Sequence, residues 1–126
     1  MTGYVDNIEK ITEGNTNFRQ VLFTGVHAQL VVMSLLQGED IGMEVHDTVD
    51  QFFRIESGEG KVVMNGEETV FGPGFAIIVP AGTQHNVIAT SAVKLYTLYS
   101  PPNHPEGTIH TTREEAMAAE ETEHSQ

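Results

Sequence analysis

The chain contains no cysteine among its 126 residues. Disulfides, thiolate-bound zinc and thiol nucleophiles are therefore all excluded. It also lacks a long apolar run. The longest, near Leu30 to Leu36, falls far short of the ~20 residues that a membrane-spanning helix needs. The opening MTGYVDNIEK has neither the basic region nor the apolar stretch of a signal peptide, so a cytoplasmic protein without a membrane partner is expected. Positive charge is scarce: 6 Lys and Arg stand against 18 Asp and Glu, for a formal net charge of −12. A surface of that sign repels phosphate backbones and no basic cluster offsets it, which argues against nucleic acid and anionic membrane as partners.

What is present is a series of short β-rich runs punctuated by Gly and Pro. The length suits one domain with one core. Residues 1–17 have little periodicity and read as an N-terminal arm or short edge segment. Phe18 to Thr24, Gln29 to Leu36, Gln51 to Ser57, Phe75 to Val79, His85 to Ala89 and Lys94 to Ser100 read as strands. Lys61 to Phe71 reads as a hairpin turning on Asn65-Gly66. Past Pro101-Pro102 the composition becomes loop-like, then Ala- and Glu-rich. Thr111 or Thr112 can cap a short acidic helix there, with Glu114 and Glu115 in its first turn. Carrying few apolar residues, that helix is expected on the surface, frayed after Glu121. The organisation predicted is thus an arm (1–17), an all-β sandwich or barrel (18–100), and a C-terminal loop and short acidic helix (101–126).

The chemistry concentrates in two blocks, GEDIGMEVHDTVDQFFRIESGEG (38–60) and GFAIIVPAGTQHN (74–86). On an extended strand, Glu44 and His46 project to one face, two residues apart. Gln51 follows, and His85 comes from the second block just after a Pro-x-Gly turn. One carboxylate, two imidazoles and an amide carbonyl form a set able to hold one divalent ion, with coordination positions left open. Gln51 either adds a neutral ligand or stands behind the others as a hydrogen-bond donor. Alternation puts Phe53 and Ile55 on Gln51's face and Val87 on His85's, as the apolar lining of the pocket. His27, ahead of a strand, and Asp50, beside the ligands, are candidates for substrate contact, though a solvated or hydrogen-bonded role suits either. Asp47 or Asp50 is a candidate general base, but neither is assured, and no catalytic residue is assigned. His104, His110 and His124 read as solvated, although a loop folding over the barrel would bring His104 or His110 near the pocket. Tyr96 and Tyr99 fall on opposite faces of one strand, so at most one reaches the pocket. Arg19, Arg54 and Lys94 are scattered, which weighs against a strongly phosphorylated substrate.

These two blocks resemble the paired motifs of cupins. Gly38, Glu44, His46, Gln51 and Gly58 match the spacing of the first motif, and Gly74, Pro80, Gly82 and His85 that of the second. Glu44 stands where that family usually has its first histidine, Gln51 replaces the usual glutamate, and Ala89 the terminal asparagine. The stretches EVHDTVDQFFRIESGEG, PAGTQHNVI and YSPPNHPEGTIHTT look like small single-domain cupins of the mannose-6-phosphate-isomerase-like group. The resemblance implies a double-stranded β-helix (jelly-roll) barrel. It also implies a bound divalent metal (Fe, Mn, Zn or Ni), a small-molecule ligand and a homodimer, with which the apolar faces at Val31 to Leu35 and Phe52 are compatible. Isomerase, lyase or dioxygenase chemistry on a small oxygenated metabolite follows as one expectation. A non-catalytic small-molecule binding or sensing barrel is the other.

Overall fold

The strand signals resolve into two antiparallel sheets. The computed structural model describes residues 2–124. In chain order the elements are α1 (Ile8–Gly14), β1 (Arg19–Thr24), β2 (Gln29–Leu35), β3 (Asp50–Ser57), β4 (Gly60–Met64), β5 (Glu67–Phe71), β6 (Ala76–Val79), β7 (His85–Ala89), β8 (Val93–Ser100), β9 (Ile109–His110) and α2 (Arg113–His124). The larger sheet has six strands in the order β6-β3-β8-β2-β1-β9, and the smaller has three, β5-β4-β7. Together they form the expected cupin-type jelly-roll barrel with a C-terminal helix.

Period-two patterning explains why the sheets close on each other. In β3 the inward residues are Gln51, Phe53 and Ile55, and in β8 they are Val93, Leu95, Thr97 and Tyr99. The register sets Gln51 opposite Tyr99, Phe53 opposite Thr97 and Ile55 opposite Leu95. Val62, Phe71 and Val87 face them from the smaller sheet, in one continuous core. Each fully buried side chain of this size contributes roughly 1.5–3 kcal/mol through removal from water. The apolar core therefore tolerates polar groups such as Gln51 and Thr97 only where they partner each other.

The turns obey their local chemistry. Asn65 (φ 49°) and Gly66 (φ 84°) both take left-handed backbone, as a two-residue hairpin of type I′ requires, and join β4 to β5 with Met64 opposite Glu67. Gly58 has φ 91°, and a Cβ there would lie 2.0 Å from the Ala92 carbonyl oxygen, so glycine alone fits.

Several segments differ from expectation. Residues 8–14 of the arm form α1, capped by the Asn7 side chain, which accepts from Lys10 N at 3.1 Å. The helix packs against β2, β3 and β8 and buries Thr12, so tertiary packing supplies what periodicity lacks. Glu44 and His46 do not lie on a ladder strand. Residues 38–46 run as an irregular edge beside β7, through Gly38 N to Ala89 O (2.8 Å), Ile41 N to Val87 O (3.1 Å) and isolated bridges at Asp40 and Glu44. In the C-terminal region, β9 adds to the larger sheet beside β1. Helix α2 is capped by Thr112, whose Oγ1 accepts from Glu115 N at 3.2 Å. It is docked on the barrel, with Ala116 in the core and Met117 packed against it, and it runs on to His124. The His124 side chain lies outside the described residues. Val31, Val32, Met33 and Leu35 are buried within the chain, which removes them as a dimer surface. Among the described residues no helix is long and apolar enough to cross a membrane.

Candidate metal centre

Backbone pairing brings the ligands together. Glu44 N donates to His85 O (2.9 Å) and His85 N to Glu44 O (2.8 Å), a reciprocal antiparallel pair. Residues so paired present their side chains on the same face. His46 is tied to the β6–β7 turn, where Gly82 N donates to its carbonyl at 2.8 Å. The same turn is clasped by Asp50, whose Oδ1 accepts from Ala81 N at 2.8 Å. Asp50 therefore acts as a turn fastener, and its carboxylate is already engaged.

Glu44, His46 and His85 each offer a ligand atom, and these atoms lie within 4.8 Å of one another. His46 Nε2 is 2.9 Å from Glu44 Oε2, and His85 Nε2 is 3.2 Å from Gln51 Oε1. The hydrogen bonds around these atoms orient the side chains. His85 Nδ1 lies 3.0 Å from the Thr83 carbonyl, which only accepts, so Nδ1 carries the proton. Burial, the largest influence, pushes the His85 pKa down; the Thr83 carbonyl raises it, His46 lowers it and Glu44 raises it. The ring is thus neutral at pH 7, and its Nε2 presents a lone pair. Gln51 Nε2 donates to Thr97 Oγ1 at 3.1 Å, which turns Oε1, another acceptor, towards that lone pair. Two acceptors facing each other across 3.2 Å repel unless a cation lies within reach of both. With the amide in this orientation, both atoms are available to a cation. His46 Nε2 and Glu44 Oε1 are likewise buried without an aligned hydrogen-bond partner, a costly state that coordination relieves. The four residues fit a divalent ion.

Glu44 and His46 line a cavity of about 530 Å³, together with Asn103, His104, Met117 and Glu120. Gln51 and His85 lie behind, almost wholly buried. Phe53, Ile55 and Val87 are also fully buried. They pack the core behind the ligands instead of lining the cavity, because strand alternation drives them between the sheets. His27 is exposed in the β1–β2 turn and is absent from the cavity lining.

His104 corrects its expected solvated role. Buried Gln29 staples its loop to the barrel: Oε1 accepts from Asn103 N (3.1 Å) and His104 N (2.9 Å), while Nε2 donates to His104 O (2.8 Å). The His104 ring meets Tyr99 edge-on, with centroids 5.0 Å apart and Nε2 3.2 Å from the phenol oxygen. Its pKa is pushed down to about 3 by burial first, then by Arg19, His110 and His46. Tyr99, also edge-on to His46 at 6.1 Å, has its pKa raised chiefly by burial and stays protonated. Tyr96 packs on Phe52 across the opposite face, so one tyrosine reaches the site, as strand alternation requires.

Arg19 and Glu120 went unpredicted. Arg19 sits at an inward position of β1, in step with Val21, with its guanidinium 3.1 Å from Glu120 Oε1. An arginine at an inward strand position was the available signal.

Residues 31–99 match the Cupin domain family. The curated Bacillus subtilis (strain 168) protein "Uncharacterized protein YrkC" is 50% identical over 127 residues, covering 94% of this chain and 68% of its own length. "Uncharacterized protein L612" of Acanthamoeba polyphaga mimivirus is 42% identical over 117 residues, covering 87% and 72%. Among solved structures, BH2720 from Bacillus halodurans superposes with a TM-score of 0.90 at 46% identity, covering 91% of this chain and 93% of that one. KdgF from Halomonas sp. superposes at 0.64 with 24% identity, over 68% and 78%, a likeness of fold alone. The similarities carry the family and no narrower group.

Proposed function

The chain belongs to the cupin family, and from that premise we propose that it binds one divalent metal ion and acts with it on a small oxygenated molecule admitted through the cavity. The observation that carries this is the convergence of Glu44, His46 and His85, whose ligand atoms lie within 4.8 Å of one another. Gln51 Oε1 lies 3.2 Å from His85 Nε2, and Glu44 Oε1 and His46 Nε2 are buried without an aligned hydrogen-bond partner. Iron, manganese, nickel and zinc all suit a set of two imidazoles, a carboxylate and an amide oxygen. When bound, the ion supplies Lewis-acid polarisation of a ligand oxygen, or redox chemistry if it is iron.

The chain's own residues set the conditions. Glu44 brings the only anionic charge among the four ligands, so the centre keeps net positive charge and favours an anionic or polarised oxygen. Gln51 contributes an acceptor without discharging the site. The Tyr99 hydroxyl and the neutral His104 ring are hydrogen-bonded to each other, and together they hold a proton beside the cavity. Met117 adds apolar surface to the cavity lining. Isomerase, lyase and dioxygenase reactions all use such a site.

A second reading, a non-catalytic binding or sensing barrel, is favoured by the state of the nearby acids. Asp50 is engaged by Ala81 N and Glu120 is paired with Arg19, so neither stands ready as a base. A homodimer belongs to the same proposal. It is supported by Phe75 and by Ile78 of the edge strand β6, both exposed, and light scattering tests it.

The experiment is elemental analysis of untagged protein beside a His46→Ala/His85→Ala variant. About one equivalent of metal in the parent and none in the variant is expected. Iron leads to oxygen-uptake assays, and manganese, nickel or zinc to isomerase and lyase assays. A parent that neither holds nor rebinds metal refutes the proposal.

A further inference from the structure

Arg19 is the most deeply buried cation of the molecule among the described residues, with 2% of its side chain exposed, and it stands behind one wall of the cavity. Its partner, Glu120, belongs to that wall and is itself 20% exposed. The pair is incomplete. One Glu120 oxygen lies 3.1 Å from Arg19 Nη1, yet Nε and Nη1 find no aligned acceptor. A guanidinium carries five N–H donors in a planar fork suited to two oxygens at once. Nε and Nη1 thus remain without an aligned acceptor, while the Phe18 ring, 5.5 Å from the guanidinium carbon, holds the fork in place.

Two further observations bear on Glu120. It lies on α2, whose first residue is secured separately: Arg113 Nε donates to the Asp40 carbonyl (2.8 Å) and Nη2 to Asp40 Oδ1 (2.7 Å). Ala116 anchors the next turn in the core, so the Glu120 side chain can leave Arg19 while the start of the helix stays docked. The chain is also strongly acidic, at −12, and repels anions in general. Among the described residues that line the cavity there is no lysine or arginine, so positive charge reaches it from Arg19 behind the wall and from whatever ion the ligands hold.

We propose that Arg19 is the anchor for a carboxylate of the ligand, and that Glu120 is a resident counter-ion which the ligand displaces. The substrate class is then a small organic acid, with one oxygenated end at Glu44, His46, Gln51 and His85 and a carboxylate at Arg19. This rests on the metal-centre reading. Exchanging one carboxylate for another leaves the buried guanidinium neutralised throughout, so displacement never strands a charge.

The test is calorimetric titration of malonate, succinate and glutarate, with succinamide as the uncharged control, into manganese-loaded wild type, Glu120→Gln, Arg19→Met and Arg19→Lys proteins. Far-UV circular dichroism and metal content are recorded on the same samples. At least one diacid should bind wild type, bind Glu120→Gln about tenfold tighter, and bind both folded Arg19 variants at least about tenfold more weakly, as loss of a charge-assisted fork implies. Succinamide should bind none of them. Equal diacid affinity in wild type and Glu120→Gln, unchanged affinity in a folded Arg19 variant, or no diacid binding to wild type or Glu120→Gln overturns the proposal. A purely structural pair shows itself as a lower melting temperature in Glu120→Gln without tighter binding. If no manganese is taken up, the metal reading fails by itself. Acetate titrated into metal-free Glu120→Gln and Arg19→Lys/Glu120→Gln then decides the Arg19 assignment: binding to the first and not the second supports it, and binding to neither overturns it.

Discussion

Acid should destabilise this protein in a specific, removable way through His104. In the unfolded chain its pKa is near 6.5, and in the native barrel it is held at about 3 by burial and by the charges of Arg19, His110 and His46. Above about pH 6.5 both states are neutral and the residue is without effect on the pH dependence. As pH falls below that value, the unfolded chain takes up a proton that the native state refuses. Stability is therefore lost progressively from about pH 6.5 down to about pH 3. Between pH 7 and pH 5 the loss comes to about 2 kcal/mol, a value set almost wholly by the unfolded pKa. His104→Gln removes the titration while keeping the loop, because Gln29 grips the backbone of residues 103 and 104 and not the ring. Urea unfolding of chelator-treated protein at the two pH values measures it. Wild type should lose about 2 kcal/mol more than His104→Gln over this interval. His85 is shifted in the same direction by its own burial, but its contribution is common to both proteins and cancels in the difference. Equal losses would refute the reasoning.

Glu44→Ala should lower metal affinity by more than about a hundredfold, and Gln51→Ala by less, since the first removes a charge with the bond; equal retention of metal in a chelator titration would contradict that order. Thr97→Val takes away the acceptor of Gln51 Nε2. The amide is then free to turn its nitrogen to His85, so metal binding should weaken about tenfold, and urea unfolding should register about 1–3 kcal/mol for the amide oxygen left facing the valine. Gly58→Ala meets both a backbone φ of 91° and a carbonyl oxygen 2.0 Å from the new Cβ, and should cost about 3 kcal/mol or more by thermal melting.

The barrel was legible because its strands carry their instructions locally. Asn65-Gly66 specifies a hairpin by backbone conformation alone, and the alternation of Gln51, Phe53 and Ile55 specifies which side is inward. Glu44, His46 and His85 come together as their spacing implied, even though Glu44 and His46 lie on an irregular edge and not on a strand. The bridge to His85 does the work that a ladder was expected to do. What escaped was everything set by contacts distant in sequence. His104 looked solvated beside Pro105, and only Gln29, 75 residues away, draws it in. Helix α1 has one buried side chain, Thr12, too little for a periodic signal. Arg19 and Glu120 are a hundred positions apart, and neither reveals the other. Phe53, Ile55 and Val87 were correctly turned inward, but alternation cannot tell a core from the wall of a cavity.

The cavity wall is formed by residues 41–46, the 103–104 loop and α2, and none of these takes part in a strand ladder. The barrel's folding and most of the cavity's shape are thereby assigned to different parts of the chain, while the deeper polar groups Arg19, Gln51 and His85 stay on strands. Substitutions at Met43, Val45, Asn103 or Met117 alter the shape of the cavity while every inter-strand hydrogen bond persists. A lineage can therefore keep the scaffold with Glu44, His46, Gln51 and His85 facing inward, and change the shape of the cavity without passing through an unfolded intermediate sequence.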